Sequence, residues 1–250
     1  MKERGYSRRF YTEFYDHTLA SARIIVPLVV DLLHPGSVAD VGCGRGVFLS
    51  AFIEQGVEDV MGLDGDWVQR DMLLFPEERF IRADLNMPLP LERTFDLVVS
   101  LEVAEHLPPE SAPAFVRSLA RLGPAVLFSA AIPYQRGEHH LNEQWPDYWA
   151  KLFEQNGFVA IDCVRRNVWS DERVLYWYAQ NTLLFVRKEM VSGNEALVRE
   201  LARTSRSMLS VVHPTRYYPI AKAYDLLWGH IPLPVKRLAY RLLGRFFSGP

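Results

Sequence analysis

Residues 37–52 read SVADVGCGRGVFLSAF: an apolar run, a cluster of three glycines and a second apolar run. Gly42, Gly44 and Gly46 occupy alternate positions between the two runs. A strand that turns into a helix through glycines brings backbone N–H groups and the helix N-terminus close to a ligand. In open α/β sheets, ligands bind in the crevice at the carboxyl ends of the strands. The stretch therefore predicts a strand, a ligand-binding turn and a helix.

Strand-like and helix-like patterns alternate along the chain after this turn. Short β-branched runs occur at VADVG, DVMGLD, RFIRAD, FDLVVSLE and AVLFSAAIP. Amphipathic stretches lie between or beside them: GVFLSAFIEQ, DWVQRDMLL, PAFVRSLARL and QWPDYWAKLFEQNGF. This alternation predicts an α/β fold, a mostly parallel sheet with helices on both faces. Two later strand-like runs, VAIDCVRRN and NTLLFVRK, have no long helix between them and are expected to pair antiparallel at an edge.

Composition sets broad limits on the class of protein. A chain of 250 residues with 49% hydrophobic and 23% charged residues is typical of one globular domain with additions. The formal net charge of −2 argues against a nucleic-acid partner, because such domains usually carry a basic excess. Cys43 and Cys163 form neither a disulfide framework nor a metal-binding pair by their spacing. With no apolar signal segment at the N-terminus, we expect a cytoplasmic protein.

Acidic residues follow the first three predicted strands. Asp40 precedes the glycine cluster, Asp64 stands 22 residues after Gly42, and Asp84 closes the third strand. A carboxylate at the position of Asp64 can accept hydrogen bonds from both hydroxyls of a ribose. Aspartates at strand ends also form turns, so one of them alone would carry little information. Together with the glycines, they predict a pocket for a nucleoside-containing cofactor.

The chain resembles the class I S-adenosylmethionine-dependent methyltransferases over residues 37–187. ADVGCGRG is similar to the first motif of that family, GLDGD to its ribose-binding loop, RADL to its adenine-binding segment and FDLVVSLEVAEHL to its fourth strand. The resemblance implies a Rossmann-like seven-stranded sheet with a reversed last strand. It also implies that S-adenosylmethionine is the cofactor and S-adenosylhomocysteine the product.

The same resemblance assigns roles in cofactor binding. Asp40 would lie near the amino group of the cofactor, Asp64 at the ribose, and Asp84 with Leu85 at the adenine. Leu101 and Glu102 would face the cofactor from the fourth strand. The full set implied for the cofactor is Asp40, Gly42, Cys43, Gly44, Gly46, Asp64, Gly65, Asp84, Leu85, Leu101 and Glu102.

The resemblance also divides the chain into three parts. Residues 1–36, helical over 17–33, would form an N-terminal cap, residues 37–189 the methyltransferase core, and residues 190–250 a basic helical extension. Two alternatives remain open. A nicotinamide-dependent oxidoreductase shares the fold, although the third glycine comes one residue too early for its fingerprint and no Y-x-x-x-K pair suited to short-chain dehydrogenase chemistry is found. A non-catalytic scaffold that keeps the cofactor pocket is the other.

The segment AAIPYQRGEHHLNEQWPDYW, residues 130–149, follows the fifth predicted strand and is rich in polar and aromatic groups. Together with YWYAQNTLLF, residues 176–185, it resembles methyltransferases encoded among glycan- and sugar-modifying genes. That resemblance implies a glycan or small-molecule acceptor with a hydroxyl as the target. The candidate substrate-binding residues are His139, Asn142, Glu143, Gln144, Trp145 and Tyr148. An ordinary loop, with Asn142 or Asp147 capping a helix and Trp145 and Trp149 in the core, is the alternative.

A hydroxyl acceptor needs a group that takes its proton. Imidazole titrates near neutral pH, and His140 is therefore our first candidate for the catalytic base, with His106 as the second. Histidines and Glu143 show no recognised metal-ligand spacing, so no metal is predicted. An amine, thiol or phenol acceptor remains the alternative to a sugar hydroxyl.

The C-terminal region is basic. In the last predicted helix Arg237, Arg241 and Arg245 recur at every fourth position beside Leu238, Leu242 and Phe246. This pattern is typical of a helix on an anionic membrane surface. It also suits a helix that docks its apolar side on the domain or on a second subunit, so peripheral membrane contact and a homo-oligomer are both expectations.

Overall fold

Seven apolar runs form one sheet in the computed structural model, which describes residues 15–229 together with Ile231, Pro232 and Val235. The strand order is β3-β2-β1-β4-β5-β7-β6; strands β1 to β5 are parallel to one another, while β7 runs antiparallel to β5 and to β6. The predicted reversed last strand and the antiparallel pair at the edge are confirmed. The strands are β1 Ser37–Val41, β2 Asp59–Asp64, β3 Phe80–Arg82, β4 Leu97–Leu101, β5 Ala125–Ser129, β6 Phe158–Ile161 and β7 Leu183–Arg187.

The order of the strands reverses at β1, which lies between β2 and β4. Asp40 of β1 is in register with Gly62 of β2 and with Val99 of β4. Ligands of open α/β sheets bind outside the carboxyl ends of the strands at this switch point. The ends of β1, β2 and β4 therefore face one crevice.

Helices cover both faces of the sheet, as the alternating pattern predicts. The first, α1, confirms the predicted N-terminal helix, and α2 follows the glycine turn directly. The helices are α1 Tyr15–Leu33, α2 Val47–Glu54, α3 Ala112–Leu122, α4 Pro146–Gln155, α5 Arg165–Val168, α6 Tyr176–Asn181, α7 Lys188–Ser192, α8 Glu195–Ala202 and α9 Pro214–Trp228.

Two buried clusters form the core, one on each face of the sheet. Side chains of α1 and α2, such as Ile25 and Phe52, pack on one face against Val99 and Leu127. On the other face, side chains of α3 and α4 pack against the neighbouring residues of the same strands, which point the opposite way, such as Val98, Val126 and Phe128. Because both faces are covered, the strands read as nearly continuous apolar runs in the sequence.

The helix expected over DWVQRDMLL, residues 66–74, is absent, and that prediction is wrong. Only a single 3₁₀ turn, Arg70–Met72, forms there, followed by a second at Glu77–Arg79. The segment bonds to the glycine turn instead of to itself: the Leu74 amide donates to the Arg45 carbonyl (2.9 Å), and Nε of Arg45 donates to the Met72 carbonyl (3.0 Å). These tertiary bonds override the local amphipathic pattern.

The helices after β7 group with the sheet. Leu197 of α8 is fully buried, and the buried guanidinium of Arg165 donates to the Leu209 carbonyl (2.6 Å) and pairs with Asp162 (2.6 Å). By contacts, one compact unit ends at Val211 and a second begins at Val212. The three-part division at residues 36 and 189 stays a prediction about the roles of these parts.

The second unit contains α9, which begins where the His213 ring accepts a hydrogen bond from the Thr215 amide (3.2 Å). Near its end, Tyr224 stacks on Trp228 with ring centroids 5.8 Å apart.

Arg237, Arg241 and Arg245 lie outside the described residues, so the membrane and docking interpretations of the last helix stay predictions. Across the described residues, no helix combines the length and the apolar character that crossing a membrane requires.

Two glycines with similar backbone conformation allow a matched test of packing in the glycine turn. Gly46 (φ 80°) would place a Cβ 2.2 Å from the Phe75 ring, whereas a Cβ at Gly56 (φ 86°) has nothing within 4 Å. Gly56→Ala should cost about 1–2 kcal/mol of unfolding free energy from the left-handed conformation alone. Gly46→Ala should cost clearly more, because Phe75 must move as well. Equal costs in denaturant unfolding would contradict the packing of Phe75 against the turn.

Candidate active site

The glycine turn after β1 is built for close packing. Gly42, Gly44 and Gly46 have φ values of 84°, 52° and 80°, a region that side chains disfavour. A Cβ on Gly42 would lie 2.4 Å from the side chain of Val103, and one on Gly46 would meet Phe75. Two of the three glycines therefore let apolar side chains from other segments press against the turn. This packing holds the backbone of the turn at the end of β1, next to the crevice.

The Asp64 carboxylate at the end of β2 closes the turn from the side. It accepts hydrogen bonds from the amide of Gly44 (2.7 Å), the amide of Gly65 (2.6 Å) and the indole of Trp67. Burial raises the pKa of Asp64, and these three donors offset part of the rise. Sequence reasoning identified Asp64 and Gly65 but missed Trp67, whose ring covers Gly65 and whose only signal was an aromatic residue shortly after the acid.

Asp40 is the second acid of the crevice and is only 4% exposed. From the residues that the structure describes, its carboxylate accepts no hydrogen bond. Burial, with the carboxylate of Asp64 second, raises the pKa of Asp40 to about 8. A buried carboxylate without a partner is costly unless a cation or donor meets it. The crevice thus fits a ligand that carries an ammonium group.

Other predicted cofactor residues take varied positions. Burial raises the pKa of the Cys43 thiol well above its usual range, so Cys43 offers its backbone and not a thiolate. Asp84 is exposed and accepts two hydrogen bonds from Asn86, from the amide (3.0 Å) and from Nδ2 (2.9 Å). Leu85 is buried, and Leu101 is half-buried against the core.

Glu102 follows β4 in a strained backbone conformation, with φ 55°. Its carboxylate accepts hydrogen bonds from Nε2 of Gln135 and from Nδ2 of Asn181, both at 3.0 Å. Burial raises the pKa of Glu102 to about 7, which the hydrogen bonds moderate. Gln180 joins the network by donating to Gln135 (3.2 Å) and Asn181 (2.9 Å).

Sequence reasoning missed Gln135, Gln180 and Asn181 as site residues. The available signal was an amide pair, QN, directly before the apolar strand β7, in a stretch that is otherwise apolar and aromatic. Buried amides require partners, and here the partner is a carboxylate at the strand end. The YWYAQNTLLF segment therefore reaches the site through these amides.

Glu105 joins the turn after β4 to the loop after β5. Its main-chain carbonyl accepts hydrogen bonds from the amides of Leu141 (2.7 Å) and Asn142 (3.0 Å). Its side chain is 1% exposed, and neither carboxylate oxygen makes a hydrogen bond of good geometry with a described residue, although the amides of Glu105 and Ala131 lie close enough to offset part of the rise in its pKa. Burial, followed by the charge of Glu102, raises the pKa of Glu105.

The two histidines predicted as candidate bases lie side by side. The rings of His106 and His140 meet edge to face with centroids 4.9 Å apart. Nδ1 of His140 is 2.8 Å from Oε1 of Glu143. Burial, with the neighbouring His140 second, lowers the pKa of His106 to about 4, so this imidazole is neutral at physiological pH.

Glu143 also shapes the loop in which His140 lies. Its carboxylate accepts hydrogen bonds from the amides of Tyr134 (2.7 Å) and Arg136 (2.6 Å), two residues with positive φ. These bonds hold a strained loop in one conformation. Glu143 therefore fixes both the loop and the orientation of the His140 ring.

The remaining candidate substrate residues differ in exposure. Asn142 is buried and accepts a hydrogen bond from Nε2 of Gln144 (3.0 Å), while His139 is exposed. Trp145 is 41% exposed, whereas Trp149 packs in the core beside Phe128. Tyr148, half-buried, meets Trp149 edge to face.

The helix cap of the alternative interpretation, by Asn142 or Asp147, does not form. Trp145 occupies the N-cap position of α4, and no side chain there bonds the first turn of the helix. Asn142 is engaged with Gln144, and the Asp147 carboxylate accepts a hydrogen bond from Ser210 (2.6 Å). Of the two tryptophans whose roles were left open, Trp149 is a core residue and Trp145 faces solvent.

This fold and this crevice define a class of Rossmann-like, nucleoside-cofactor proteins. Residues 11–180 match the family described as a methyltransferase domain. The match covers more than half of the chain, and the chain belongs to this methyltransferase family. Its cofactor is S-adenosylmethionine, and the nicotinamide alternative is not supported.

Solved structures show the same fold. Magnesium protoporphyrin IX methyltransferase from Synechocystis PCC 6803, with bound S-adenosylmethionine, is 22% identical, with 74% of this chain and 87% of that chain covered and a TM-score of 0.52. DesVI from Streptomyces venezuelae is 17% identical over 72% and 95% of the two chains, with a TM-score of 0.52.

A third structure, the sugar N-methyltransferase KedS8 from Streptoalloteichus sp ATCC 53650, is 15% identical over 75% and 95% of the two chains, with a TM-score of 0.56. At these identities the likeness shows the fold. A search of curated proteins gave no match.

The unpartnered Asp40 should make the cofactor-free protein sensitive to alkali. A carboxyl whose pKa is raised from 3.8 to about 8 binds its proton more tightly in the folded state, so stability falls as pH rises through this window. Asp40→Asn lacks this term. Between pH 4 and pH 8, the unfolding free energy of the variant should rise relative to that of the wild type by at most about 1.4 kcal/mol per pH unit. Urea unfolding at several pH values measures the difference, with exposed Asp71→Asn as the control; parallel pH curves would contradict the burial of an unpartnered charge.

Proposed function

We propose that this protein transfers the methyl group of S-adenosylmethionine to a hydroxyl of a sugar, glycan or related small molecule. The observation that carries the proposal is the pairing of His140 with Glu143, beside His106, in the loop after β5 that bonds to the turn after β4. A hydroxyl is a poor nucleophile while it keeps its proton. An imidazole oriented by a carboxylate is a group suited to removing that proton.

In this proposal the acids of the crevice hold the cofactor. The ammonium group of its methionine part pairs with Asp40, which lacks any other partner among the described residues. The backbone of Gly42, Cys43 and Gly44 approaches the same part, with Gly46 and Gly65 shaping the turns. Asp84, Leu85, Leu101 and Glu102 complete the proposed set at the adenine and at the end of β4.

Asp64 is proposed to bind the ribose, although its carboxylate already has three protein donors. A carboxylate offers about four acceptor positions, so the indole of Trp67 is the donor that a ribose hydroxyl joins or replaces. The ring of Trp67 is partly exposed and free of the core, which makes this exchange possible without moving the glycine turn.

The proton of the acceptor is assigned to His140. Glu143 fixes the Nδ1 side of the ring, which leaves Nε2 as the proton acceptor. His106 is the weaker candidate, because a pKa of about 4 makes it a poor base at neutral pH. When bound, the cofactor supplies an electrophilic methyl group, and His140, the loop and the crevice walls align the acceptor and exclude water.

The loop around His140 offers groups that suit a sugar. Tyr134 and Trp145 expose aromatic rings, and the same loop carries the half-buried amide of Gln144, which donates to the buried Asn142. Aromatic rings bury apolar sugar faces, while amides bond the hydroxyls. Because KedS8 is a sugar N-methyltransferase, an amino sugar is the second acceptor class to test.

Asp64→Ala should weaken S-adenosylmethionine binding at least tenfold, because a hydrogen bond to a charged group contributes about 1.5–3 kcal/mol. Trp67→Phe is the matched control, since it keeps a ring over Gly65 but removes the competing indole N–H. Its affinity should equal or exceed that of the wild type. Isothermal calorimetry measures both variants, and unchanged affinity in folded Asp64→Ala would remove Asp64 from the cofactor site.

His140→Ala should lower turnover by about two orders of magnitude, the contribution of a positioned base, while leaving cofactor affinity nearly unchanged. His140→Gln should be about as slow. Exposed His17→Ala, on α1, serves as the control and should keep full activity. Loss of activity in His106→Ala with activity retained in His140→Ala would transfer the role to His106.

The acceptor class is tested by S-adenosylhomocysteine release with a panel of sugars, amino sugars, phenols, amines and thiols. The proposal expects hydroxyl compounds to respond and to require His140. If only amines or thiols respond and His140→Ala stays active, hydroxyl methylation is wrong. Release with any acceptor eliminates the non-catalytic scaffold.

A further inference from the structure

We propose that Glu105, His106 and His140 bind a divalent transition-metal cation such as Zn²⁺ or Mn²⁺. One ligand atom from each of the three side chains lies within 4.8 Å of the other two. Two ligands of one such cation lie at most about 4.4 Å apart, because each bond is about 2.0–2.2 Å long. Small side-chain rotations therefore bring the three groups to bonding distance. The sequence did not reveal the set, because 34 positions separate His106 from His140.

Glu105 is the strongest reason to expect a cation. Its side chain is 1% exposed, and the nearby amides of Glu105 and Ala131 make no hydrogen bond of good geometry with either oxygen. Its neighbour Glu102 is a second carboxylate in the same buried region. Buried charges in proteins are paired or coordinate metals. A cation between Glu105 and the imidazoles supplies the missing partner.

Both histidines already have the supporting contacts that metal ligands need. Nδ1 of His140 lies 2.8 Å from Glu143, and the ring of His106 bonds the main-chain carbonyl of His139. Metal-bound histidines usually donate their other N–H to a carboxylate or a backbone carbonyl, which fixes the ring and its tautomer.

The donor set defines the class of cation. Two imidazoles and one carboxylate suit zinc, manganese and iron, whereas calcium takes oxygen donors only. Three protein ligands also leave coordination positions open, as in catalytic and not structural sites. The cation therefore has room to bind the acceptor oxygen.

What the cation does rests on the proposed function, although its binding does not. An acceptor hydroxyl bound to the cation loses its proton to solvent more readily. The resulting alkoxide oxygen forms a bond to the methyl carbon, the S–CH₃ bond breaks, and its electron pair returns to sulfur. In the cation-loaded enzyme His140 is then a ligand, and proton acceptance by His140 belongs to the cation-free enzyme.

The test uses the full-length, untagged protein after chelator treatment and dialysis. Zn²⁺ is titrated against a chromophoric chelator, and Co²⁺ serves as the spectroscopic probe. We expect one equivalent of metal per chain, a dissociation constant in the micromolar range or below, and d–d absorption from Co²⁺. Zn²⁺ should also raise the melting temperature of the wild type.

Variants assign the ligands. Glu105→Gln, His106→Ala and His140→Ala should each weaken Zn²⁺ binding by about 100-fold or more, and Glu143→Gln by about 10–100-fold as an outer partner. His17→Ala is the control, because its ring is exposed on α1 and is not one of the three clustered ligands. Calorimetry with S-adenosylmethionine shows that each variant is folded.

Absence of a bound equivalent, or equal Zn²⁺ affinity in the wild type, Glu105→Gln and His106→Ala, would overturn the inference. The outcome is independent of the acceptor. If the metal binds but no hydroxyl compound is methylated, the metal site stands and the proposed function is wrong. If hydroxyl compounds are methylated in the presence of a chelator and no metal binds, the proposed function stands and the metal site is wrong.

Discussion

Three buried carboxyl groups and the half-buried carboxyl of Glu102 lie where the strands of the sheet end, and the rest of the site depends on how each is compensated. Asp64 has backbone and indole donors, and Glu102 has the amides of Gln135 and Asn181. Asp40 has no donor among the described residues, and neither oxygen of Glu105 makes a hydrogen bond of good geometry with them. Burying a carboxylate without a partner is expensive, so these two positions define where positively charged groups belong.

The sheet explains why these acids meet, and this part of the structure could be predicted from the sequence. Two local patterns allow this: glycines between two apolar runs, and acids after successive strands. The strands themselves can be recognised as apolar runs because both of their faces are buried. The strand ends at Val41, Asp64 and Leu101 then share one crevice through the parallel register. The cofactor side therefore followed from short-range patterns.

The acceptor side depends on contacts between residues far apart in the chain, which no local pattern encodes. Asn181 reaches Glu102 across 79 positions, and Leu141 bonds the carbonyl of Glu105. The same kind of contact explains the wrong helix at residues 66–74, where bonds to Arg45 replaced helical bonds. His140 could be proposed from its residue type, but its carboxylate partner and its neighbour His106 came only from the fold.

Charge on the proposed acceptor side also limits what could be methylated there. Glu105 is a buried carboxyl and Glu102 a half-buried one, and His106 is neutral at physiological pH because burial lowers its pKa to about 4. The neutral imidazole of His106 presents a nitrogen lone pair, and the carboxyls of Glu102 and Glu105 are negative when ionised. An anionic acceptor such as a carboxylate or phosphate would therefore be repelled. An acceptor with an O–H or N–H group can donate a hydrogen bond to these side chains, and a metal cation can bind to the same side chains. The electrostatics therefore favour a hydroxyl or an amine and explain why one cluster suits both a base and a metal.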